Sequence, residues 1–280
     1  MADYSVYISS CDGYSDCWEP FFTLLERFWP DCSHPLYLGS EYMDSPRPDR
    51  VTALALCKSH GVPSSERVPW SRFTRWALEA IPSPLVLFLQ EDFFLKAPVK
   101  DEEVERITEM MEAHPEIACV HLTDQGPLAE GPSDEFPGMD VLKLKQRYRV
   151  SCQAALWRKD ELLALLRDKE SAWEYEEFGS ARSAAMGHLY LGVSRKIVRL
   201  GEYEIIPYLF TGIVQGRWIK EVVSLFEANG IEVDYSRRGF DEDYPKRKKS
   251  NWKRFVGWWV HLSHKIENER YIRRHIKRLA

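Results

Sequence analysis

The sequence predicts an α/β protein: a mostly parallel central sheet flanked by helices, with a helical extension at the C-terminal end. Two observations carry this. Apolar runs of strand length alternate with segments of helical apolar spacing three times within residues 4–123, the pattern of parallel βα units. Near residue 246 the charge then changes sign. Of the net −5, residues 246–280 hold 12 Lys and Arg against two Glu, or +10, which leaves −15 on residues 1–245. The natural division is an acidic body at 1–245 and a basic extension at 246–280. With 280 residues, 44% hydrophobic and 13% aromatic, the chain can bury one large core or two small ones.

The first strand is expected at 4–10 (YSVYISS), closed by the polar CDGYSD turn. Residues 17–28 carry apolar side chains at helical spacing. A short strand at 35–39, a Pro- and Asp-rich loop at 43–50 and a strand at 51–56 follow. Residues 70–81 (WSRFTRWALEAI) place their apolar and aromatic positions on one helical face, and Pro82 and Pro84 end that helix. Next comes LVLFLQEDFFL at 85–95, a buried strand interrupted by Glu91 and Asp92. A helix at 101–114 and a strand at 117–123 complete the third alternation. Residues 124–139, rich in Gly, Pro and acids, are expected to form a long surface loop, a candidate lid. The stretch 140–158 alternates well enough for two strands, and a helix begins at Lys159. SAWEYEEFGSARS at 171–183 reads as an acid–aromatic loop.

Several chemistries are excluded by what the sequence lacks. There is no GxxxxGK[ST] phosphate loop, GxSxG elbow, HExxH zinc pair or GxGxxG turn. The eight histidines show no i, i+4 pairing, and the six cysteines show no CxxC, so free thiols and no structural zinc are expected. No secretory signal pattern opens the chain and no apolar run nears the ~20 residues that span a bilayer, so a cytoplasmic location is expected.

What remains is a set of carboxylates. A charged acid inside an apolar strand carries a large desolvation cost, so Glu91 and Asp92 belong at the strand's end, met by water or a cation. Open parallel sheets bind ligands beyond the carboxyl ends of their strands, and Asp12 and Asp16 fall at a second such end. Acids of this kind suit a hard divalent cation held through one or two carboxylates together with substrate phosphates. The later cluster of Glu174, Glu176 and Glu177 can supply a general base.

The order SCDGY, DCWEPFFTLLERFWPDC, WSRFTRWALEAIPSPLVLFLQEDFFL, SCQAALWRKDELLALL and SAWEYEEFGSARS, over roughly residues 4–220, resembles bacterial GT-A-type glycosyltransferases of surface-polysaccharide (capsule, O-antigen, lipopolysaccharide) biosynthesis. The resemblance implies a GT-A-like, Rossmann-like fold. It also implies transfer of a sugar from a nucleotide-sugar, UDP-linked, to a glycan or lipid-linked acceptor, with Mn2+ or Mg2+ as cofactor. In that superfamily a DxD-like motif closes a central strand; here only Gln90-Glu91-Asp92 matches it. The resemblance makes Asp92 the metal or diphosphate ligand and sets Glu91 beside it, facing the ribose or the metal. It puts Ser10, Cys11 and Asp12 beside the nucleotide base and Arg72 at the phosphates. Glu176 becomes the base, with Glu174 as second choice, and an identifiable base favours inversion. Trp173 and Tyr175 are candidates to stack on a sugar. Two rival readings are a nucleotidyltransferase using the same acids and a non-catalytic nucleotide- or sugar-binding scaffold.

At the basic end, Trp252, Phe255, Val256, Trp259, Leu262 and Ile266 recur at helical spacing with Lys and Arg on the other face. Such a helix suits the interface of an anionic membrane, which would make the protein peripheral on the inner face of the cytoplasmic membrane. Alternatively it packs its stripe on the domain. Nucleic acid is disfavoured as a partner by the acidic body.

Overall fold

The computed structural model describes residues 3–123, 129–194, 204–243 and 251–276. The first strand, β1 (Tyr4–Ser9), is buried at every position. A 3-10 turn at Asp12–Tyr14 leads into α1 (Ser15–Phe28), whose apolar face buries Trp18, Phe21, Phe22, Leu24 and Leu25. Burying one such side chain contributes roughly 1.5–3 kcal/mol, so this face alone fixes how the helix lies on the sheet. After β2 (Leu36–Leu38) and β3 (Val51–Ala53) comes the four-residue α2 (Leu56–Ser59). The strand expected to run to residue 56 stops early because Ala55 takes up a left-handed φ of 44°, which no strand accommodates. Then follow α3 (Trp70–Ala80), β4 (Leu85–Gln90), α4 (Asp101–Ala113) and β5 (Ile117–His121).

The expected long loop is a different structure. Residues 124–128 lie outside the described residues, but β6 (Ala129–Pro132) and β7 (Met139–Leu142) pair as an antiparallel hairpin. Its Gly and Pro fit because the hairpin forms the sheet's edge, where a missing N–H faces no ladder. Next are β8 (Ala155–Arg158), α5 (Lys159–Leu165), α6 (Ala172–Met186) and β9 (Leu189–Val193). The small hairpin β10 (Ile213–Val214) and β11 (Arg217–Trp218), α7 (Glu221–Ala228) and the long α8 (Asn251–Tyr271) complete the chain.

Nine strands form one sheet in the order β3-β2-β1-β4-β8-β5-β9-β7-β6. It is mostly parallel: β7 and β8 alone run against the other strands. Strand β4 lies in its interior between β1 and β8, which is why Leu85–Leu89 are all buried. Ser9 pairs with Gln90, so the turn at residues 10–12 and the acids at 91–92 leave the sheet side by side. Because β8 runs antiparallel, the segment before it, 143–154, arrives at that same end.

The acid–aromatic stretch at 171–183 is helix α6, not a loop. Ser171 and Glu174 form a reciprocal capping box: the Ser171 hydroxyl accepts from the Glu174 N–H at 3.4 Å, and Glu174 Oε2 accepts from the Ser171 N–H at 2.9 Å. Helix α8 lies against α6. His264 Nδ1 meets Glu174 Oε1 at 2.7 Å, and the buried Arg182 donates to Asn268 Oδ1 at 2.8 Å as well as pairing with Glu170.

Candidate active site

A cavity of about 1460 Å³ opens at the carboxyl ends of β1 and β4. The β1 turn, the end of β4, the segment 146–153, the first turn of α6 and the loop 210–216 form its walls.

Asp92 is buried there, and three donors converge on its Oδ2: the Thr211 hydroxyl at 2.5 Å and the N–H groups of Gly212 and Ile213 at 3.2 Å each. Burial pushes its carboxyl above the usual range, and these hydrogen bonds offset only part of the rise. The cradle depends on Gly212, since a Cβ there would come within 2.1 Å of the Phe94 ring and 3.1 Å of the Asp92 carbonyl. Its neighbour Glu91 also lines the cavity and is pushed well above the ordinary carboxylate value, by burial first and then by the charge of Asp92.

Glu176 faces the same space from α6. Its Oε1 accepts from the Cys152 N–H at 2.9 Å and the Ser151 hydroxyl at 3.4 Å, while burial raises its pKa. Three residues earlier, and hence on the same helical face, Trp173 stands at the cavity mouth, 80% exposed. Glu174 points elsewhere. It is occupied by the cap and by His264, and although burial alone would raise its pKa, those hydrogen bonds lower it. Nor does Tyr175 face the cavity; it is buried against Trp70. A residue one step along a helix is turned about 100°, and that rotation separates the three neighbours.

The first-strand turn divides similarly. Ser10 and Cys11 line the cavity, with the Ser10 hydroxyl accepting from Trp18 Nε1 at 2.7 Å. Burial pushes the Cys11 thiol up to about 11, which leaves it protonated and unsuited to act as a nucleophile at neutral pH. Asp12 instead builds the wall, its two oxygens accepting from the N–H groups of Glu41 (2.8 Å) and Tyr42 (2.9 Å). Asp16 is held by Arg238 through two bonds of 2.6 and 2.5 Å. Arg72 lies outside the cavity lining: it pairs with Asp168 at 3.5 Å on the outer side of α3, so it is unsuited to hold a phosphate there. Among the described residues, the cavity's own guanidinium groups are Arg67 and Arg147. Sequence reading missed both, together with the Thr211–Ile213 cradle and the exposed rim residues Tyr148 and Phe210. Gly212 was the available signal for the cradle. Arg147 was concealed in the alternating run KLKQRYR, which reads as strand but is irregular.

Glu91 and Asp92 fit a hard divalent cation. Two crowded carboxylates, both driven toward protonation, gain from a positive charge between them, and oxygen is the donor such a cation takes. Among the described residues, the one group of three ligating side chains that converges on a point is His114, Glu116 and Glu135, outside the cavity lining. At the acid pair, then, the remaining ligands would come from water or a bound phosphate.

The solved structures similar to this chain include two of S. aureus TarS and one of glucosyl-3-phosphoglycerate synthase. A structure of S. aureus TarS residues 1–349 is 13% identical, with the alignment covering 69% of this chain and 58% of that one at a TM-score of 0.44. A second S. aureus TarS structure is 9% identical, covering 84% and 41% at a TM-score of 0.43. The third is glucosyl-3-phosphoglycerate synthase from Mycobacterium tuberculosis in complex with Mn2+, uridine-diphosphate-glucose and glycerol 3-phosphate. It is 13% identical, covering 57% and 58% at a TM-score of 0.36. The chain thus spans less than two thirds of each of these structures. No protein-family model and no curated protein matches it.

Proposed function

We propose that the chain is a glycosyltransferase moving a sugar from a nucleotide-sugar, UDP-linked, to a hydroxyl of a glycan or lipid-linked acceptor in surface-polysaccharide synthesis, with inversion. The observation that carries this reading is one cavity holding two separated acid functions. The pair Glu91 and Asp92 closes β4, and Glu176 faces the same space beneath the exposed ring of Trp173.

In this reading Ser10 and Cys11 border the nucleotide, and Arg67 and Arg147 offer guanidinium forks for its phosphates. Trp173 gives an apolar ring for a sugar face. Glu176, oriented by the Cys152 N–H, takes the proton from the acceptor hydroxyl as that oxygen attacks the anomeric carbon. The bond from that carbon to the diphosphate oxygen breaks on the opposite side, and a nucleoside diphosphate leaves. Glu91 and Asp92 would hold a divalent cation, Mn2+ or Mg2+, which neutralises diphosphate charge when bound. Residues 1–245 form the catalytic domain. Residues 246–280 are the extension that places it on an anionic membrane surface.

The test is product analysis with a panel of nucleotide-sugars. A transferase releases nucleoside diphosphate in a donor-dependent way, a nucleotidyltransferase releases pyrophosphate, and a binding scaffold releases neither. Absence of nucleoside diphosphate across the panel, with and without Mn2+, overturns the proposal.

A further inference from the structure

We propose that the acceptor is an anionic chain longer than one sugar, and that a second groove holds the part of it beyond the reacting end. This rests on the glycosyl-transfer reading and narrows its acceptor. The groove, about 780 Å³, lies between the 144–147 segment and the outer face of α6. Gln146 and Arg147 line both it and the main cavity, so the two spaces meet at these side chains.

Helix α6 runs along both. Trp173 and Glu176 face the cavity, and Glu177, Ser180, Ala181 and Ala184 continue the i, i+3, i+4, i+7 stripe into the groove. From Glu176 to Ala184 the helix advances about 12 Å. Alanine leaves that stretch of wall open where any larger residue would fill it. A bound chain reacting beside Glu176 would continue in this direction past Gln146 and Arg147.

Charge identifies the occupant. Lys145 and Arg147 are exposed, and among the described residues neither enters an ion pair; the Arg147 guanidinium lies 4.8 Å from the Tyr148 ring. The countercharge in the groove is Glu177, which has its own partner in His261 at 3.4 Å. On a body carrying −15, Lys145 and Arg147 concentrate positive charge beside the reaction centre, where the Arg147 guanidinium also acts on the Glu176 carboxylate. They match phosphate or carboxylate groups repeated along an acceptor. A neutral glycan would leave Lys145, which lines the groove and not the main cavity, unused.

Calorimetric titration of the full chain tests this with six-unit oligomers of galacturonic acid, glycerol phosphate and glucose, and with the monomer of each. An anionic hexamer is expected to bind about tenfold or more tightly than the glucose hexamer and than its own monomer. Its affinity should weaken with added salt. The two anionic probes separate carboxylate from phosphate. Lys145→Glu and Ala181→Trp, each with an unchanged melting curve, should each lower that affinity about tenfold or more. Failure of both anionic hexamers to bind, equal binding of the neutral hexamer, or binding that survives either substitution in a folded protein overturns the proposal; in the last case the basic C-terminal helix would be the anion site. If Ala181→Trp fails to fold, Lys145→Glu decides. Binding needs no turnover, so a working groove without nucleoside diphosphate release would sink the transfer reading alone.

Discussion

Asp92 and Glu176 are acids of the same charge in one cavity, and their surroundings differ. Asp92 is fixed by three donors on one oxygen, so its carboxyl is rigidly placed to meet a cation. Asp92→Asn should therefore leave the melting curve nearly unchanged and lower kcat on the order of 100-fold, because charge is lost without a change of volume. Near-normal turnover would remove Asp92 from the site. Glu176→Gln should reduce transfer by about 100- to 10,000-fold while donor binding, read by calorimetry, persists. Since burial raises the pKa of Glu176, the acid limb of kcat/KM should lie above that of an ordinary carboxylate and vanish in the Gln variant. Glu91 gives a stability test. An acid whose folded pKa is raised is protonated in both states at low pH; as pH climbs, the unfolded chain sheds its proton first, so stability falls from the unfolded pKa up through the folded one. Glu91→Gln should thus raise the melting temperature at neutral pH by about 2–4 °C per kcal/mol of relieved repulsion, and do little near pH 3. At this scale the acid pair was legible because charge interrupting an apolar run has few places to go. The direction of Arg72 was not, since it depends on Asp168, 96 residues distant in the chain.

Among the elements, α6 bears most on the site. Its first turn carries Trp173 and Glu176, and its capping box decides whether that turn forms. The Ser-x-x-Glu spacing of 171–174 is readable in sequence as a helix start, yet the dense acids and aromatics beside it resemble a loop. The short strand at 51–53 and the edge hairpin at 129–142 were equally hard to read. Their lengths follow from a left-handed residue and from a pairing across the sheet, and neither leaves a local periodic signal. Ser171→Ala should cost about 1 kcal/mol of stability. If the cap positions the base, kcat should fall several-fold further than the melting temperature alone explains. A melting shift without any change in kcat would reduce the cap to a structural detail.

For the whole molecule, the decisive feature is a body of −15 joined to a segment of +10. The side chains of Trp252, Phe255 and Val256 lie outside the described residues. Further along α8, Trp259 is 52% and Ile266 41% exposed, so part of the apolar stripe is turned away from the domain. Another face of the same helix is committed to α6 through His264 and Asn268. Among the described residues no helix is long and apolar enough to cross a membrane, so attachment through α8 would be at a surface. Removing α8 would both release a membrane anchor and strip Arg182 of its Asn268 partner, and the two effects would be confounded. Changing charge alone separates them. Arg270, Arg273 and Arg274 are exposed, and Arg273 has only a loose contact with Glu269 at 3.9 Å. Replacing all three with Gln should leave the melting curve in place, because exposed pairs are worth about 0–1 kcal/mol. The same variant should lose roughly 1 kcal/mol of attraction to anionic vesicles per residue removed, on the order of a hundredfold in partition. Co-sedimentation with vesicles of anionic and of neutral lipid checks this, and binding of the unaltered chain should weaken with salt as the Debye length contracts. A full-length chain that ignores anionic vesicles at low salt would end the membrane reading and leave α8 as a strut that holds α6, and through it Glu176, against the sheet.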